Sequence, residues 1–187
     1  ATRMTYTPAH VRMPESSVIN LKNCSFRITA VVEVGASGHG VIVCQGGNMA
    51  GWSLYVQDGL PVYYYNLFGR ILTRIAGADP LPTGDIVLGV HFDYDGGGLG
   101  KGGQIRLTVD GRVVAEGRLE RTVPFLFSMS GETLDVGVHD QPDPLLEVEH
   151  DRVDLLLRPV VVFPEAAQLV LRGHGNLGDD DSDQRHH

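Results

Sequence analysis

The sequence predicts an all-β sandwich of two antiparallel sheets, and three observations carry that prediction. Apolar residues recur mostly in period two, not at helical spacing. Turn residues break these runs about every 8–12 residues. Most of the 24 glycines fall between short apolar runs, which marks a chain with many turns and few helices.

The elements follow in order. SFRITAVVEV (25–34) is rich in β-branched residues and ends at the turn Gly35-Ala36-Ser37-Gly38. GVIVCQGG (40–47) comes next. In WSLYVQDGLPVYYYNLF (52–68), Asp58-Gly59 separates two runs rich in Tyr and Val, which predicts a tight hairpin. DIVLGVHFDYD (85–95) is a strand entered from the turn Pro80-Leu81-Pro82-Thr83-Gly84. QIRLTVDGRVVAEGRL (104–119) predicts a second hairpin, turning at Asp110-Gly111. Within it Ile105, Leu107 and Val109 share one face and Arg106, Thr108 and Asp110 the other, so one face is packed and one wet. From about His139 the pattern changes. Two apolar runs, Val153–Leu157 and Val160–Phe163, are divided by Arg158-Pro159 and read as closing strands; Pro164–Leu171 reads as a short helix or a strand.

At 187 residues the chain is long enough for one domain with a sizeable core. Residues 1–175 read as that domain, and the acidic tail 176–187 as disordered. The composition, 42% hydrophobic and 20% charged, is that of an ordinary globular protein. A net charge of −8 repels phosphate backbones, which argues against nucleic acid as a partner. No apolar stretch approaches the roughly 18 residues needed to cross a membrane, so no membrane partner is expected. The opening ATRMTYTPAH lacks an apolar core, so no secretory signal is expected there. Cys24 and Cys44 each lie in an apolar run; two reduced thiols are the favoured reading and a disulfide the alternative.

Six motifs occur in a fixed order: VIVCQGGNMAGWSLYVQDG (41–59), VYYYNLFG (62–69), DPLPTG (79–84), FDYDGGGLGKGG (92–103), LTVDGRVVAEGRLERTVPFLFS (107–128) and ETLDVG (132–137). With them the chain resembles the C-terminal domain of bacterial arylsulfatases of the alkaline-phosphatase-like superfamily, over roughly residues 20–137. The resemblance implies a concanavalin-like jelly roll appended to a hydrolase domain, its partner in cis, in the bacterial cytoplasm or periplasm. After Gly137 the sequence reads VHDQPDPLLEVEHDRV and departs from the family's closing segment.

A sulfatase of that superfamily needs a Cys or Ser in C/S-x-P-x-R, converted to formylglycine, and a divalent metal held by Asp, Asn and His. Cys24 is followed by Ser-Phe-Arg and Cys44 by Gln-Gly-Gly, so neither fits. The chain alone is expected to be non-catalytic. The eight histidines show no zinc-like spacing. A glucanase reading would rest on Glu147-Val148-Glu149 and lacks the glutamate–aspartate strand it needs.

Three candidate sites remain. In the glycine-rich loop, Asp93 and Asp95 offer hard oxygen ligands for calcium, the one cofactor considered. The same loop carries Leu99, with Lys101 two positions on, as a plug for docking on a catalytic domain. The loop is expected to be exposed and to order only under a partner surface. Finally, the aromatic set Trp52, Tyr55, Tyr63, Tyr64, Tyr65 and Phe68 suggests glycan stacking, with Trp52, Tyr55 and Tyr64 as the candidate platform; the competing reading places these rings in the core. Arg118 and Arg121 with Glu116 and Glu120 read as a solvated strand edge or a polar interdomain seam.

Overall fold

Alternation becomes architecture most directly in Ser25–Val34. Phe26, Ile28, Ala30, Val32 and Val34 are all buried, while the residues between them are partly or fully exposed. The computed structural model describes residues 3–36, 38–47, 49–127, 131–137 and 155–165. Its strands are β1 (Met4–Tyr6), β2 (Met13–Pro14), β3 (Ser25–Val34), β4 (Gly40–Gly46), β5 (Ala50–Gln57), β6 (Leu60–Leu67), β7 (Ile71–Ala76), β8 (Gly84–Tyr94), β9 (Lys101–Val109), β10 (Arg112–Arg121), β11 (Thr133–Val136) and β12 (Leu155–Glu165). A single 3-10 turn, Glu15–Ser17, is the one helical element among the described residues.

The strands form two six-stranded sheets, ordered β1-β12-β3-β8-β9-β10 and β2-β11-β4-β5-β6-β7. Every pairing is antiparallel. The core lies between the sheets, with Ile28, Leu88, Ile105 and Leu107 from the first meeting Leu54, Tyr63 and Leu134 from the second. A smaller apolar group of Val41, Cys44, Tyr55, Val62 and Tyr64 is buried separately from it.

Both expected hairpins turn where the Asp-Gly pairs stand. Asp58 and Gly59 have φ of 53° and 78°, and Asp110 and Gly111 have 49° and 79°. Two successive positive φ values make a type I′ turn, whose twist matches the flanking strands. The runs on either side of Arg158-Pro159 are one strand, β12, whose register against β3 shifts between Leu157 and Val160. Proline has no N–H to give a ladder, so an irregularity at that point is the physical consequence. The expectations for Glu147-Val148-Glu149, the turn histidines 139 and 150, residues 166–171 and the tail 176–187 lie outside the described residues.

One side of the sandwich closes by close approach. A Cβ on Gly117 in β10 would stand 2.6 Å from Cγ1 of Ile75 in β7, so glycine is required where the two edge strands meet.

Candidate functional site

The expected aromatic platform is absorbed by the fold. Trp52 is 3% exposed in the inter-sheet core, stacks on Tyr63 with ring centroids 6.3 Å apart, and donates its indole N–H to Gln45 Oε1 at 3.3 Å. A cavity of about 10 Å³ lies beside it, the room of about one water. Tyr55 and Tyr64 are buried in the second apolar group. These three rings therefore offer no face to a sugar, which corrects the expectation. Alternation on a sheet covered on both faces buries both parities. Phe68, at the end of the same run, is 42% exposed.

Phe68 belongs to a different site. A groove of about 350 Å³ opens at one end of the sandwich. The turn between β6 and β7 contributes Leu67, Phe68, Arg70 and Ile71. The glycine-rich loop adds Leu99 and Gly100, and the end of β10 and the segment after it add Arg121, Thr122 and Pro124. Leu99 is 58% exposed, so the docking residue of the sequence analysis sits on the rim of a formed groove. Lys101 is exposed at the head of β9, next to the groove and not among its lining residues.

The turn carrying Phe68 is strained. Arg70 N–H donates to the Leu67 carbonyl at 3.1 Å, and Phe68 and Gly69 both have positive φ, 55° and 63°. The other two I′ turns place Asp in the first of these positions, where left-handed φ is tolerated. A bulky aromatic there costs about 1–2 kcal/mol. Strain of this kind persists where function or surrounding structure demands it.

The facing wall is held rigidly. Asn23, itself at φ 58°, donates from Nδ2 to the Pro124 carbonyl at 2.7 Å, and its Oδ1 accepts the Gly100 N–H at 2.7 Å. Tyr94 OH donates to the Gly98 carbonyl at 2.6 Å and accepts the Lys101 N–H at 2.9 Å. Thr122 Oγ1 donates to the Lys101 carbonyl at 2.7 Å. Further along, the Val123 N–H donates to Tyr65 Oη at 2.8 Å, and the Phe127 N–H to the Glu15 carboxylate. Glu15 is also paired with Lys22, which lies over the Phe127 ring. The glycine-rich loop is thus closed by its own chain, which corrects the expectation that only a partner surface would order it. Held between these anchors, Phe125 and Leu126 remain 68% and 56% exposed.

The electrostatics divide the cations into two sets. Arg106 pairs with Asp93, and Arg118 with Asp95 and Glu120. The Arg118 hydrogen bond holds the Asp95 carboxyl below its ordinary range. The two acids proposed for calcium are therefore each committed to an arginine, Asp93 to one on β9 and Asp95 to one on β10. Among the described residues there is no group of three or more His, Cys, Asp and Glu placed to hold a metal ion. Arg70 and Arg121, in the groove, make no ion pair or side-chain hydrogen bond with any described residue. The strand-edge reading of Arg118 and Arg121 agrees with the position of β10 at the edge of its sheet. Neither Cys24 nor Cys44 is joined in a disulfide; burial pushes the Cys24 thiol up, against the pull of Lys22.

Sequence reasoning missed Asn23, Arg70, Ile71 and Pro124. An asparagine before a strand and a cation after a turn have no distinctive spacing, and only the tertiary fold brings them together. Phe68-Gly69 did carry a signal, since a bulky residue precedes glycine where a turn is required.

No family model matches the sequence, and no curated protein matches it. Solved structures do share its shape. Domains LG4-5 of the mouse laminin α1 chain match 86% of this chain at 12% identity, with a TM-score of 0.56. A botulinum neurotoxin type C structure matches 76% at 12% identity and a TM-score of 0.52. The binding domain of botulinum neurotoxin DC in complex with SialylT matches 75% at 12% identity and 0.50. The chain spans 39% of the laminin structure and about a third of each toxin structure. Among the described residues no helix is long and apolar enough to cross a membrane. What these proteins share with the chain is its fold: a concanavalin-like jelly roll of two antiparallel sheets.

Proposed function

We propose that the chain is a non-catalytic, lectin-like binding module whose groove receives a saccharide. The observation that carries this reading is the strained turn that keeps Phe68 exposed on a groove wall that Arg70 and Ile71 also line. Ring faces stack on the C–H surfaces of sugars, and the groove volume lies in the range of small-ligand sites. The likeness of fold to SialylT-bound botulinum neurotoxin DC, and to botulinum neurotoxin type C, which interacts with two ganglioside molecules, supports the same reading. The test is a saccharide panel read by calorimetry. Millimolar or tighter binding that Phe68→Ala abolishes, with the melting temperature unchanged or raised, is the expected result; a panel without any binder overturns the reading.

A second reading has its own support. The arylsulfatase-like motifs, together with exposed Leu99, Phe125 and Leu126, fit an accessory domain packed on a formylglycine- and metal-dependent sulfatase catalytic domain, shaping or shielding its substrate cleft. Leu99→Asp would then weaken association with a separately expressed catalytic domain of that class. Phe125→Ser with Leu126→Ser separates the readings, because these two side chains are not among the groove's lining residues. They should weaken domain association and leave saccharide binding intact.

A further inference from the structure

We infer that the groove selects acidic saccharides, with a carboxylate or sulfate held by Arg70 and Arg121 while the sugar's apolar face lies on Phe68; this rests on the saccharide reading of the groove. The sequence carries a net charge of −8, yet the charged side chains lining the groove are both arginines. Neither pairs with a carboxylate among the described residues, although Arg106 and Arg118 on the adjoining strands are both neutralised by Asp93 and Asp95. Two open cations thus line a concave surface that also offers an exposed aromatic residue.

Arginine suits this role by its chemistry. Its guanidinium presents a planar fork that matches carboxylate and sulfate geometry with two parallel N–H donors, and it is weakly hydrated. Each arginine comes from a different element, Arg70 following the β6–β7 turn and Arg121 ending β10. Both elements are fixed, the first by its I′ turn and the second by Thr122 Oγ1 on the Lys101 carbonyl. An anion bound between them orders the two arginine side chains but need not order the backbone that carries them.

The experiment titrates the full chain with lactose, sialyllactose and sulfated lactose at two salt concentrations. The acidic sugars are expected to bind at least about tenfold tighter than lactose, with a preference that shrinks as salt rises. Arg70→Gln and Arg121→Gln are each expected to cost the acidic sugars about tenfold more than they cost lactose. Sialyllactose binding alone identifies the anion as carboxylate, sulfated lactose alone as sulfate, and both outcomes support the inference. Equal binding of all three sugars, or a preference that survives the double variant, overturns it while the saccharide reading stands. Failure of lactose and the acidic sugars alike removes both. An oligoglutamate peptide that binds as tightly as the acidic sugars, indifferent to Phe68→Ala, also overturns it and points to a protein partner.

Discussion

The side chain of Asn23 donates to the carbonyl of Pro124 at 2.7 Å while accepting the Gly100 N–H, so one residue before β3 ties together two loops of the groove. Its φ of 58° is one that glycine adopts freely. Asn23→Gly therefore removes the amide without backbone strain. The expected result is a loss of about 1–3 kcal/mol by denaturant unfolding and a weakening of saccharide binding larger than Leu99→Ala causes. Unchanged binding would show that the loops hold their places without Asn23.

Gly117 and Ile75 give a test of how the sandwich closes. Gly117→Ala places a methyl 2.6 Å from Ile75 Cγ1 and is expected to cost about 1–3 kcal/mol. Ile75→Ala alone should also destabilise, by about 2–5 kcal/mol. In the double variant the added methyl occupies space vacated by Ile75. The pair should then cost less than the sum of the singles by about 0.5–3 kcal/mol in a thermodynamic cycle.

Trp52 is the chain's single tryptophan and lies in the core. Its emission should be blue-shifted and shielded from acrylamide, and should not respond directly when a sugar fills the groove. Trp52→Ala is expected to cost about 3–5 kcal/mol through loss of packing. Ready quenching in the native protein would contradict the core placement.

Burial raises the phenols of Tyr63 and Tyr65. For Tyr63 the neighbouring Tyr65 adds to the rise; for Tyr65 the Val123 N–H bond opposes it. In the unfolded chain both ionise near pH 10, so above that pH the unfolded state loses protons that the folded state keeps. Stability should be level with respect to these groups below about pH 10 and then fall by roughly 1.4 kcal/mol per pH unit for each tyrosine. Tyr63 and Tyr65 should therefore add their tyrosinate absorbance together with unfolding, and Tyr65→Phe should soften the alkaline slope.

The strands and both Asp-Gly hairpins were legible because alternation and turn chemistry are local. The site was only partly so. Leu99 stood out as an apolar residue among glycines, and it does line the groove. Trp52, Tyr55 and Tyr64 misled, because an aromatic residue on a strand buried on both faces looks in sequence like one on a half-open sheet. Arg70 and Arg121 were distinguished from Arg106 and Arg118 only by which of them met an aspartate, and that is decided by register across β8, β9 and β10.

The position of β12 has a consequence for the order of assembly. It lies between β1 and β3, with Val160 opposite Ala30, although β3 is synthesised well before it. Until β12 arrives, β3 has a free ladder on one side and β1 has no neighbour in the sheet. Closing so long a loop comes late and slowly, because its entropy is lost before the ladder repays it. A nascent or truncated chain therefore carries an open, valine-rich edge until β12 has been made, the kind of surface that pairs with other chains. Aggregation of a chain cut before residue 155 is the expected outcome of that single placement.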